Sequence, residues 1–169
     1  MNGLRRIKRG GAALLFLLVF LPLTAQIDGM VGAGEYPNRR DLKEGTLHWK
    51  VAEGQMFIAY DAPTEGWVAL GFGGLRMDGT LMILGYVNNG EQSYTVDRGQ
   101  GHRHSPIAET IDVDVAVKES PGKTVLEIRI PLSAFPLNGS GGSDHIIAFG
   151  RRDNFTSLHR YRDAQSLPH

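Results

Sequence analysis

From Thr46 onward the chain is a succession of short runs with a two-residue period, each closed by glycine, proline, asparagine or aspartate. No segment longer than about ten residues carries a convincing 3.6-residue period, so helices are not expected to build the core. Residues 46–51 (TLHWKV) alternate around Leu47, Trp49 and Val51. Residues 55–61 (QMFIAYD) follow the turn Glu53-Gly54, and residues 63–66 (PTEG) make the next turn. Residues 67–72 (WVALGF) and 81–87 (LMILGYV) are apolar on both faces, as central strands are. Asn88-Asn89-Gly90 reads as a hairpin turn, with residues 91–97 (EQSYTVD) as its return strand. Residues 111–117 (IDVDVAV) alternate strictly, odd positions inward, and residues 120–123 (SPGK) turn the chain. Leu126, Ile128 and Ile130 then face one way, Glu127 and Arg129 the other. After a Gly/Ser/Pro loop over residues 133–143, residues 145–149 (HIIAF) form the last expected strand. Short strands at even spacing predict an all-β fold, an antiparallel Ig-like β-sandwich, over residues 46–167. Trp49 is expected in its core, with Met56 and Met82 as packing residues inside strands.

The N-terminus has a different pattern. Arg5, Arg6, Lys8 and Arg9 precede an unbroken apolar run over residues 12–23, and Ala25 follows. Residues 1–25 therefore read as an export signal peptide, with an apolar run short for a membrane span. The alternative is an uncleaved anchor, which would be the chain's only membrane contact. Residues 26–45 read as a lead-in without periodicity. Export would make the domain periplasmic, secreted or held at the outer cell surface. The four basic residues named are the only charged ones before Gln26, so the remainder, with all 18 acidic residues, carries a net charge of about −4. An acidic domain without clustered Lys and Arg is not expected to bind nucleic acid. There is no cysteine, which excludes disulfides, thiolate ligands, iron–sulfur clusters and covalent c-type haem.

No nucleophile elbow, no phosphate loop leading into a helix and no H-E-x-x-H motif occurs. No acid–base pair can be argued from spacing, so an enzyme is not expected. The candidate ligands are methionine, histidine and carboxylate. Met77 is the methionine that needs explaining: it lies in the link GGLRMDG, residues 73–79, between two apolar runs. His102 and His104 are two apart, and on a strand both rings would share a face as a candidate metal pair. In a loop the spacing carries no meaning. His48 reads as an outward strand residue and His145 as a surface or turn histidine. His159 follows the last expected strand, with Phe155 and Leu158 as apolar neighbours and Arg160 and Arg162 as cations. Imidazole for iron and guanidinium for propionates would suit a porphyrin, although a histidine in a C-terminal loop is the simpler reading.

Together these segments resemble the DOMON domain, in its cytochrome-like haem-binding branch. The matching pieces, in order, are Trp49-Lys-Val, GWVALGF at residues 66–72, MDGTLMILG at residues 77–85, YTVD at residues 94–97, Pro106, IIAFG at residues 146–150, and His159. The chain departs from the family's pattern at Leu81, where the family often has aspartate, and after His159. The resemblance implies a non-covalent haem b held between Met77 and His159. Trp67, Phe72, Leu75, Phe155 and Leu158 would then be walls, and Arg76, Arg160 and Arg162 candidate propionate partners.

A thioether and an imidazole are both neutral, so such ligation raises the reduction potential relative to thiolate. Two strong axial ligands leave no open position. The resemblance therefore implies an exported electron carrier with a separate redox partner protein. Two alternatives stay open: a non-haem binding module of the same fold for carbohydrate or another exported ligand, and a metal-responsive scaffold using His102 and His104.

Overall fold

The computed structural model describes residues 26–169; the expected signal peptide lies outside the described residues. The strands in chain order are β1 (Asn38–Asp41), β2 (Thr46–Ala52), β3 (Gln55–Ala62), β4 (Val68–Phe72), β5 (Leu81–Asn88), β6 (Glu91–Gln100), β7 (Arg103–Pro106), β8 (Asp114–Ser120), β9 (Lys123–Pro131), β10 (Ser143–Phe149) and β11 (Tyr161–Leu167). One short 3-10 turn, Leu132–Ala134, follows β9. The strands form two antiparallel sheets, ordered β1-β2-β3-β9-β8 and β11-β10-β4-β5-β6-β7. The protein is therefore an antiparallel β-sandwich, the fold the alternation predicts.

The core between the sheets follows from that alternation. Leu47, Trp49, Met56, Ile58, Tyr60, Leu126, Ile128 and Ile130 from the five-stranded sheet face Val68, Leu70, Phe72, Leu81, Ile83, Ile147 and Phe149 from the other. Val113, Val115 and Val117 pack against the same core, as the strict alternation of that segment requires. Gly85 is glycine because a Cβ there would lie 2.4 Å from Val117. Two side chains fasten the layers at one edge. Trp49 Nε1 donates to the Pro168 carbonyl at 3.0 Å, and Arg40 reaches Gln165 Oε1 at 2.8 Å.

Three strands lie beyond the sequence expectation. β1 falls inside the lead-in, β7 follows the turn after β6, and β11 follows β10. All three are edge strands with at most one buried residue, so they lack the apolar alternation by which the others are read. His159 consequently lies in a connection between two neighbouring strands, not in a terminal tail.

The lead-in docks on the outer face of the five-stranded sheet through Glu127, whose side chain is fully buried. Its carboxylate accepts from the backbone N–H groups of Asp28 (2.9 Å) and Gly29 (2.8 Å) and from the Tyr36 hydroxyl (2.5 Å). Burial pushes the Glu127 pKa up, opposed by these donors. Replacing Glu127 with leucine should strand three donors. The expected cost is about 3 kcal/mol or more in urea unfolding, with new protease cuts within residues 26–36.

His145 is not a surface residue; it is fully buried against Phe72 and Phe135. Nδ1 lies 3.1 Å from the Gly71 carbonyl, which can only accept, so Nδ1 carries the proton. Nε2 then accepts from the buried Ser143 hydroxyl at 2.6 Å, and His169 Nε2 meets that same oxygen at 2.7 Å. Desolvation lowers the His145 pKa to about 4. The unfolded state therefore binds the extra proton between about pH 6.5 and pH 4, and stability falls as pH drops through that window. Urea titrations at pH 7 and pH 4.5 should show a loss on the order of 3 kcal/mol that His145→Asn removes, the carboxylate contribution remaining.

Candidate functional site

An antiparallel sheet in a sandwich ordinarily turns one face to the core and a polar face to water. Strands β4 and β5 do not follow that rule. Every residue of β4 is buried, and the first five of β5 are as well. The outward residues of this sheet form a second apolar cluster of Trp67, Ala69, Met82 and Leu84, with Met77, Tyr86, Ile146, Ala148 and Phe155 packed against it. Cross-strand register explains the grouping. Ala148, Ala69 and Leu84 are direct partners in one row, and Ile146, Gly71 and Met82 in the next. Small residues thus occupy the middle of this face.

Two connections cover it from opposite ends. Residues 73–80 leave the end of β4 and fold back over β6. Glycine at positive φ opens and closes this link, at Gly73 and Gly79. Gly79 N donates to the Gly99 carbonyl at 3.0 Å, and Asp78 Oδ1 accepts from Gly101 N at 2.8 Å. Met77 is thereby pressed onto β6. A Cβ at Gly99 would lie 1.7 Å from the Met77 carbonyl oxygen and 3.0 Å from Met77 Cγ. The methionine in the link is accordingly a side chain folded onto the outer sheet face.

The second cover is the connection 150–160, at the other end of β4. Gly150 N donates to the Trp67 carbonyl at 2.9 Å, and Trp67 N to the Arg152 carbonyl at 3.2 Å. The Trp67 indole N–H donates to the Ser157 hydroxyl at 2.8 Å. Glycine is required at position 150, where a Cβ would lie 2.1 Å from the indole nitrogen. Phe155 is laid across Tyr86 with ring centroids 4.7 Å apart.

Trp67, Met77 and Phe155 are thus brought to one face. Phe72 is not: it points the opposite way, into the inter-sheet core, 5.3 Å from the Phe135 ring centroid. It cannot wall a site on the Met77 side, because residues 67, 69 and 71 face outward and 68, 70 and 72 inward. His159 lies in the covering connection and is exposed; Leu158 is 89% exposed beside it. Leu75 and Arg76 are exposed in the other link. Arg160 anchors the start of β11 through its backbone N–H to the Phe149 carbonyl at 2.7 Å. Arg162 pairs in register with Ala148, which puts it at the rim of the apolar face.

The far end of this face holds a group that sequence spacing did not isolate. Asp97 is the cross-strand partner of Met82 and is 3% exposed. Its Oδ1 accepts from the Thr95 hydroxyl at 2.5 Å, and its Oδ2 lies 2.6 Å from His104 Nδ1. His102 sits in the turn before β7, exposed, while His104 is on the strand. The two histidines do not share a strand face. The alternation Thr95, Asp97, Gly99 on β6 turns the carboxylate outward, and the pairing of Gly99 with His104 brings the histidine beside it.

No protein-family model matches the chain, and no curated protein matches it. Among solved structures its fold is similar to the cytochrome b domain of pyranose dehydrogenase from Coprinopsis cinerea, with TM-score 0.58 and 11% identity over 73% of this chain and 75% of that one. It is also similar to the cytochrome domain of Myriococcum thermophilum cellobiose dehydrogenase, with TM-score 0.57 and 10% identity over 75% and 77%. A family 9 carbohydrate-binding module from Caldicellulosiruptor kristjanssonii, in complex with glucose, matches at TM-score 0.49 and 16% identity over 82% and 79%. At these identities the likeness to the two cytochrome domains shows a shared β-sandwich fold.

Gly99→Ala should expel Met77 from its seat. The expected results are a loss of about 1–3 kcal/mol in stability and faster amide exchange over residues 73–80, with residues 150–160 unchanged.

Proposed function

We propose that the outer face of the six-stranded sheet is a seat for haem b, and that the protein is an exported electron carrier. One observation carries this reading. Two separate connections, one bearing Met77 and the other Phe155 and His159, close over an apolar sheet face that a free-standing sandwich would leave polar.

The residues fit the group by their chemistry. Trp67, Ala69, Met82, Leu84, Ile146 and Ala148 give an uncharged surface for a flat apolar ring. Met77 offers a thioether at one end and His159 an imidazole from the cover at the other. Arg162 at the rim and Arg160 beside it offer guanidinium groups to propionates. Bound there, haem would supply one-electron chemistry at a raised potential, because the thioether and imidazole that would hold it are both neutral. The chain's own part is to hold and shield. Phe155 and Trp67 exclude water from the apolar face, and the Trp67–Ser157 hydrogen bond fixes the cover. A ring seated on this face would displace Phe155 from Tyr86, and His159 would have to turn in from its exposed position. An electron carrier of this kind acts with a separate redox protein. The similarity of fold to two cytochrome domains supports the reading.

The test is spectroscopic. The domain expressed with haem supply should show a Soret band and a reduced low-spin spectrum, both altered in Met77→Ala and in His159→Ala. Absence of the band, or a band indifferent to both substitutions, rejects the reading.

A further inference from the structure

We propose that Met77, Met82 and His104 form a binding site for copper(I) at the end of the outer face where residues 73–80 cross β6. This site goes beyond the haem reading, although both draw on Met77.

The first observation is how His104 is held. Nδ1 lies 2.6 Å from the Asp97 carboxylate, whose side chain is only 4% exposed. The other carboxylate oxygen takes the Thr95 hydroxyl at 2.5 Å. A carboxylate only accepts, so Nδ1 carries a proton, and the lone pair that an ion would take is the one on Nε2. The His104 side chain is 26% exposed, so it is not sealed from an incoming ion. A carboxylate that fixes the tautomer and raises the basicity of the far nitrogen is the support that metal-binding histidines use.

The second observation is where the thioethers stand. Met82 is the direct cross-strand partner of Asp97 and belongs to the outer apolar cluster. Met77 lies over Gly99, which is the direct cross-strand partner of His104. Asp97 and Gly99 are successive outward positions of β6, about 7 Å apart, and neighbouring strands are about 4.8 Å apart. Register therefore gathers two thioethers and one imidazole around a single stretch of β6. Gly99 is the position that lets Met77 come down there.

The donors select the ion. Among the described residues, no group of three or more His, Cys, Asp and Glu side chains could hold a metal. The donors gathered at β6 are neutral and soft instead. Such a set suits a soft monovalent ion and gives calcium, magnesium or zinc little charge to bind. Thioethers also need no deprotonation and form no disulfides, which suits a cysteine-free chain in an oxidising compartment.

The experiment is an anaerobic titration of copper(I), buffered by a chromophoric copper(I) chelator, against the haem-free domain. One equivalent should be withdrawn from the chelator, and X-ray absorption should report sulfur and nitrogen scatterers. His104→Ala and Met82→Leu should each weaken binding about tenfold or more while circular dichroism confirms the native sheet. Met82→Leu is close to isosteric, so a folding defect in His104→Ala leaves it as the test. A purely structural Asp97–His104 pair would lower the melting temperature in His104→Ala and leave copper affinity unmoved; that result overturns the proposal. Failure of the wild type to compete with the chelator overturns it too. His159→Ala separates the two readings: it should abolish the axial signature of haem and leave copper(I) affinity intact. Copper binding without haem binding leaves this site standing and sinks the haem reading, and the converse result does the opposite.

Discussion

The burial of β4 and β5 on both faces is the constraint on which the rest of the structure depends. Their inward residues close the sandwich core, as in any antiparallel pair of sheets. Their outward residues are apolar too, and apolar area exposed to water costs about 25 cal/mol per Å2. The two long connections are built to cover that area. Each is fastened by backbone hydrogen bonds to the strand next to it, and each lays one large side chain on the face, Met77 from one and Phe155 from the other. Glycines at 99 and 150 exist so that those covers can touch the sheet.

The opposite outer face adds a buried charged group to its cover. There the lead-in is held by a buried carboxylate with three donors, a directional and saturated arrangement. Tyr36 and Val31 also pack with Ala59, Val125 and Phe57 there, so this cover joins an apolar contact to a directional one. On the β4–β5 side, by contrast, Leu158 and His159 stay exposed within the cover.

Much of this was legible in the sequence. Alternation located the core strands, because a period of two across apolar residues has one physical solution, and the apolar character of residues 67–72 and 81–87 on both faces marked the central strands. Met77 stood out because a thioether among turn residues has no local reason to be there. The edge strands β1, β7 and β11 were hidden because exposed strands carry no apolar signal, and Phe72 was grouped with Met77 because proximity in sequence conceals which face a strand residue takes. His145 and Glu127 were misjudged or passed over for a common reason. Burial of a polar side chain is decided by partners remote in sequence, Gly71 and Ser143 for one, Asp28, Gly29 and Tyr36 for the other. The Asp97–His104 pair needed register, which spacing alone does not give.

Met77 is the residue on which the functional account turns, since its link presses it onto the outer face at Gly99. Iron-edge X-ray absorption on the haem-loaded domain examines that role directly, because a thioether ligand contributes a sulfur scatterer that no porphyrin or imidazole atom can mimic. The account predicts one sulfur and one additional nitrogen beyond the porphyrin set, with the sulfur lost in Met77→Ala. An iron site with no sulfur scatterer, or one whose sulfur survives that substitution, would contradict it.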